Sequence, residues 1–109
     1  MHDTSAGTVE VRREVGIAIL TLTRPAANNR ITQQMAEAGV AALEDARRDR
    51  SITGCVLTGH GDVFCTGGDY RGAGSSSAGR LEFARAHNDL AQAMSRLGKP
   101  LVAAINGDA

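Results

Sequence analysis

The chain has 109 residues, 42% of them apolar, with twelve basic residues balanced by twelve acidic ones; this fits one small domain, or part of a larger one, and argues against disorder of the whole chain. A net charge of zero without a long block of like charge offers nothing to nucleic acid or to a membrane surface, and 3% aromatic residues leave little for stacking on bases. Two cysteines cannot build a disulfide framework, and no stretch reads as a signal peptide or a membrane span, so a reducing cytoplasm is the expected setting.

Residues 1–8, MHDTSAGT, lack periodicity and are expected to form a loose terminus, with the folded part running over 9–109. The run TVEVRREVGIAILTLTRP predicts a hairpin turning around Glu14 to Gly16, with Val9 and Val11 on one face of its first strand. In its second strand, Ile17 and Ile19 oppose Ala18, Leu20 and Leu22, which suggests a strand covered on both sides until Pro25 stops it. Ile31, Met35, Ala38, Ala42, Leu43 and Ala46 then recur at helical spacing, with Thr32 or Asn29 as the cap. GCVLTG, residues 54–59, reads as a short buried strand. A glycine-rich stretch and the low-complexity RGAGSSSAGR, expected as a surface loop, precede a second helix over Arg80 to Leu97. Its stripe is Phe83, His87, Leu90, Met94 and Leu97, and Gly98 and Pro100 end it. LVAAI, ended by Asn106 and Gly107, is a further expected buried strand. Strand, loop, helix and strand make a crossover unit, so the strands around Val56 and Val102 should be parallel neighbours in an α/β sheet. The chain stops directly after a core strand, and it is expected to be the front portion of a larger architecture.

Ligands in parallel sheets bind beyond the carboxyl ends of strands, where Phe64 to Tyr70 should lie. Gly67 and Gly68 either make a tight turn or let a ligand approach bare peptide N–H groups, one of which could stabilise a developing oxyanion. Neither a phosphate loop ending in Lys-Ser/Thr nor a complete G-x-G-x-x-G is present. Cys65 with His60 as base is a rival nucleophile arrangement, set against a small side chain packed beneath the loop. Cys55 reads as core, His87 as a buried hydrogen-bonded histidine, and no spacing suggests a metal site.

Three blocks, TLTRPAANNRITQQM, VLTGHGDVFCTGGDY and KPLVAAINGDA, in this order and at these separations, resemble the front half of the crotonase (enoyl-CoA hydratase/isomerase) superfamily. The resemblance covers nearly everything from Val9 onward. It implies a spiral of repeated ββα units, assembly as a homo-trimer or hexamer, and an acyl-CoA or related acyl-thioester substrate. Coenzyme A would then be part of the substrate, with no separate bound cofactor. The resemblance also implies that two backbone N–H groups hold an enolate-like oxyanion, and Gly68 of TGGD matches the first of them. Asp69 matches the acidic position that follows, where local hydrogen bonding fixes the loop. Asn29 matches a position near which CoA passes. Arg30 replaces the usual alanine after it and, with Arg24, is a candidate phosphate partner; Gly67 and Tyr70 complete the expected substrate-binding set.

FCTGGDY also resembles the motif of 1,4-dihydroxy-2-naphthoyl-CoA synthases, with Thr66 for serine. By the resemblance, the second oxyanion donor and the acid/base carboxylates lie beyond Ala109. Hydration, isomerisation, decarboxylation and C–C bond formation therefore stay open, as does a noncatalytic fragment or interaction module. The 109 residues alone are expected to be inactive.

Overall fold

The computed structural model describes residues 6–69 and 76–109. Strand β1 (Thr8–Glu14) turns into β2 (Ile17–Thr23), and a short 3-10 turn over Pro25–Ala27 leads to helix α1 (Gln33–Arg48). Strand β3 (Gly54–Gly59), helix α2 (Ser77–Arg96) and strand β4 (Leu101–Ala104) follow. The sheet order is β1-β2-β3-β4, antiparallel between the first two strands and parallel thereafter. Val56 pairs with Val102, as the crossover unit requires.

Both helices cover one face of the sheet. Ala18, Leu20 and Cys55 of the strands meet Ala36, Leu43 and Ala46 of α1 and Ala86 and Leu90 of α2 in one buried cluster, closed by Ile52 and Leu97. Each fully buried leucine contributes about 1.5–3 kcal/mol relative to exposure. The expected two-sided cover of β2 is corrected: Ala18, Leu20 and Leu22 are buried, whereas Ile17 and Ile19 on the other face are only half-buried, because no helix lies there among the described residues. The same reason corrects β4. Among the described residues it pairs only with β3, and Val102, Ala103 and Ala104 are exposed instead of buried.

Local chemistry sets the element ends. Thr8 pairs with Thr23, so the first strand begins at that residue, and the Thr32 hydroxyl donates to the Ala6 carbonyl at 2.5 Å. The same hydroxyl accepts the Met35 N–H at 3.1 Å, so Thr32 and not Asn29 is the cap of α1. That helix runs two residues beyond its last apolar position, Ala46, because the Lys99 ammonium donates to the Ala46 and Asp49 carbonyls at 2.5 and 2.8 Å. Helix α2 starts three residues earlier than the periodicity predicts, since Ser76 caps it by accepting the Gly79 N–H at 3.0 Å. The predicted surface loop therefore yields its last serines to a helix cap and first turn; residues 71–75 of it lie outside the described residues, as do residues 1–5 of the terminus.

At the end of α1, the Asp49 carboxylate accepts the Ser51 hydroxyl at 2.6 Å and the Ser51 N–H at 2.9 Å, and it pairs with Arg13 of β1. These contacts, Ser51 before Arg13, hold the Asp49 pKa down to about 2. A carboxylate whose pKa is lowered by folding stabilises the fold above its ordinary value near 3.8, and the contribution is lost as the pH falls toward 2. Asp49→Asn is expected to flatten stability against pH between about 4 and 2 while leaving the neutral-pH dependence unchanged. Urea unfolding at a series of pH values checks this; identical acid profiles would refute it.

Candidate active site

Two connections meet beyond the carboxyl ends of β2 and β3. The first, residues 24–32, needs two consecutive left-handed residues, Asn28 (φ 54°) and Asn29 (φ 57°), a conformation that asparagine tolerates better than most residues. The second, residues 60–69, leaves β3 at Gly59, where a Cβ would collide with the Val63 and Phe64 carbonyl oxygens as the loop folds back. Gly59 is thus required by close backbone approach.

Asn29 clasps the two connections. Its side chain, 1% exposed, accepts the Arg24 N–H at 2.8 Å and donates to the carbonyls of His60, Val63 and Phe64 at 3.0, 2.8 and 3.3 Å. Expected near the CoA path, it has every polar atom of its side chain engaged by the protein itself. A second clasp, which periodicity did not signal, is Asn106 after β4. Its amide donates to the Gly59 and Gly61 carbonyls at 2.9 and 2.7 Å and accepts the Gly59 N–H at 3.2 Å. The Asp108 carbonyl accepts from Phe64 N–H at 2.9 Å and Cys65 N–H at 3.2 Å, so the segment after β4 holds the loop from its other side. An asparagine directly after a strand was the only sequence signal available for this, because an amide offers both donor and acceptor to exposed loop backbone.

The loop ends in a parallel bridge between Ile31 and Gly68. Ile31 N–H donates to the Gly67 carbonyl at 2.9 Å, and Asp69 N–H donates to the Ile31 carbonyl at 2.8 Å. In such a bridge the central residue turns its own N–H to the opposite side. The Gly68 N–H accordingly has no partner among the described residues, and Gly68 is exposed. Gly67 reaches this bridge with φ at +119°, which a side chain would rarely permit. On the flank of Gly68, a Cβ would lie 3.3 Å from His87 Nε2 and 3.5 Å from Phe83 Cζ of α2.

Asp69, 6% exposed, receives the Arg24 guanidinium at 2.5 Å, and Arg30 Nε lies 3.8 Å from the same carboxylate oxygen. That Nε is buried without a hydrogen-bond partner, while 30% of the Arg30 side chain is exposed. Among the described residues, two guanidinium groups stand around this one carboxylate at the rim of the loop. A buried pair of this kind costs several kcal/mol when one partner is removed, roughly 3–5, so Arg24 and Asp69 brace the loop mutually.

The structure thus gathers Arg24, Asn29, Arg30, Gly67, Gly68 and Asp69, whereas Tyr70 lies outside the described residues. The Cys65 thiol faces the Gly67 carbonyl at 3.5 Å, and His60 makes no hydrogen bond to it. Cys55 is buried in β3, and burial pushes its thiol pKa up, against a smaller opposing effect of Lys99. Among the described residues no three His, Cys, Asp or Glu side chains converge as metal ligands.

Residues 12–109 match the family model described as enoyl-CoA hydratase/isomerase. The chain belongs to the enoyl-CoA hydratase/isomerase family. This family assignment agrees with the crotonase resemblance of the three sequence blocks and with their α/β fold. The chain is 35% identical over 104 residues to a protein named probable enoyl-CoA hydratase 1, peroxisomal, of Arabidopsis thaliana, covering 94% of this chain and 38% of that one. It is 37% identical over 101 residues to 2,3-dehydroadipyl-CoA hydratase of Escherichia coli, covering 89% of this chain and 38% of that enzyme. The crystal structure of an enoyl-CoA hydratase from Polaromonas sp. JS666 superposes with a TM-score of 0.86 at 27% identity, over 93% of this chain and 41% of the other. Family membership thus rests on residues that span about two fifths of the length of these relatives.

Proposed function

We propose that the full-length protein acts on an acyl-CoA or related acyl thioester, with the Gly68 N–H donating to the thioester oxygen as that oxygen becomes an enolate. The observation that carries this is the Ile31–Gly68 bridge, which leaves an exposed glycine N–H turned away from its own backbone partners at the end of a parallel sheet. A preorganised backbone dipole of this kind needs no reorganisation when charge develops, which is why it lowers a barrier more than it strengthens ground-state binding. Names of the relatives, hydratases and isomerases of CoA thioesters, favour hydration or double-bond shift of an enoyl-CoA over decarboxylation or C–C bond formation. Either reaction also requires a second oxyanion donor and acid/base groups, supplied from elsewhere in the full-length protein. Coenzyme A enters as part of the substrate, and assembly as a homo-trimer or hexamer belongs to the same proposal.

The guanidinium pair at the rim has a use in this scheme. Arg30 is the more exposed of the two arginines and lies farther from Asp69, so it is free to meet a CoA phosphate while Arg24 keeps the loop braced. Arg30→Ala is expected to weaken CoA binding by about tenfold, on the order of one charge-assisted contact, and to leave binding of a simple pantetheine thioester unchanged. Isothermal titration of both ligands tests it, and equal weakening of both would remove the phosphate role. Turnover of the full-length protein with a short enoyl-CoA, followed by loss of the conjugated-thioester absorbance, tests the reaction class. Absence of any turnover with enoyl-CoA thioesters would count against it.

A further inference from the structure

His87 stands where α2 meets the loop. Its Nε2 lies 3.2 Å from the Ile31 carbonyl oxygen, the same oxygen that accepts the Asp69 N–H at 2.8 Å. Its Nδ1 lies 3.0 Å from the Phe83 carbonyl one turn earlier, and its ring packs on the Phe83 ring with centroids 4.1 Å apart. Both the backbone carbonyl and the neighbouring ring therefore limit how the imidazole can turn. The Ile31 carbonyl has two lone pairs; the loop uses one, and the His87 tautomer that carries its proton on Nε2 donates to the other. The same imidazole edge also fills the space beside Gly68 that a Cβ would enter.

Building on the oxyanion role of Gly68 proposed above, we infer that His87 is a positioning residue for that N–H. Held between the Asp69 N–H and His87, the Ile31 carbonyl cannot swing, so the bridge stays in register and the Gly68 peptide plane keeps its direction. The imidazole acts through Ile31 and need not touch the substrate. A misplacement of about 1 Å at a reacting centre costs on the order of a hundredfold in rate, which makes a second lone-pair contact consequential for turnover even though it adds little to stability.

Two variants of the full-length protein separate this role from simple packing. His87→Phe keeps a ring against Phe83 but has no donor, whereas His87→Gln keeps an N–H that reaches the Ile31 carbonyl. Hydrogen–deuterium exchange of the segments containing Ile31 and Asp69 is expected to quicken about tenfold in His87→Phe, with the rest of α2 unaffected, and to return toward wild type in His87→Gln. With but-2-enoyl-CoA, kcat is expected to fall about tenfold or more in His87→Phe at nearly constant KM, and to recover in His87→Gln. Unchanged exchange in His87→Phe, or equal losses in both variants together with a general drop in melting temperature, would overturn the inference. The oxyanion role itself is read separately, from the 13C resonance of but-2-enoyl-CoA labelled at its thioester carbonyl and bound to the wild-type protein. Quickened exchange with an unshifted carbonyl resonance would remove Gly68 as donor and reduce His87 to a loop contact.

Discussion

Gly68→Pro in the full-length protein is expected to lower kcat by about a hundredfold or more, because a single oxyanion donor contributes on that scale. Affinity for CoA should change by less than about threefold, since an interaction realised only in the transition state leaves ground-state binding nearly untouched. The substitution is informative because the Gly68 N–H has no partner among the described residues, so deleting it breaks no internal hydrogen bond. Proline also carries a Cβ, which would sit 3.3 Å from His87 Nε2. Gly68→Ala introduces the same Cβ and keeps the N–H, so the difference between the two variants isolates the donor. Steady-state kinetics with an enoyl-CoA, alongside calorimetric CoA binding, gives both numbers. If alanine is as slow as proline, crowding against α2 explains the loss and the donor assignment fails.

The largest effect on stability is expected at Asn29. Asn29 is 1% exposed, and removing its side chain by Asn29→Ala takes this partner from the Arg24 N–H and from the His60 and Phe64 carbonyls, while the Val63 carbonyl keeps only the Asn106 amide at 3.4 Å. Each unsatisfied buried group costs about 1–3 kcal/mol, and allowing for water to reach some of them the total is about 3 kcal/mol or more. That is a large share of the roughly 5–15 kcal/mol that keeps an ordinary domain folded. Asn29→Asp is nearly isosteric yet should be no better, because it sets a carboxylate oxygen against the three carbonyls that the amide now satisfies. Urea unfolding reads the change as a fall in midpoint at constant slope. Either variant remaining within about 0.5 kcal/mol of wild type would show that the clasp is dispensable.

How far these effects were visible in the sequence differs from residue to residue. Thr32 and the apolar stripes announce their helices because caps and periodicity are local, encoded within one or two turns. Gly67 and Gly68 stand out for the same kind of reason, as backbone freedom placed directly after a buried strand. Asn106 and the paired arginines carry no such local mark. Arg24 and Asp69 are 45 residues apart in the chain, and only the parallel arrangement of β2 and β3 brings them together. Arg24, a candidate phosphate partner by the resemblance, pairs with the Asp69 carboxylate, since burying Asp69 beside the bridge would be costly without a cation.

By itself, then, the sequence determined the order and type of the elements, the α/β class and, through three blocks with specific glycine and asparagine positions, the family. Tertiary structure decided the division of labour at the loop: that Thr32 caps while Asn29 and Asn106 clasp, that Arg24 lies closer to Asp69 than Arg30 does, and which N–H stays unpaired among the described residues. It also decided that, among the described residues, the helices cover one face only, leaving Ile19 half-buried and Val102 exposed. The physical reason is range. Caps and periodicity are written in neighbouring residues, whereas hydrogen-bond satisfaction in a buried loop depends on carbonyls and charges that meet only after the strands have paired.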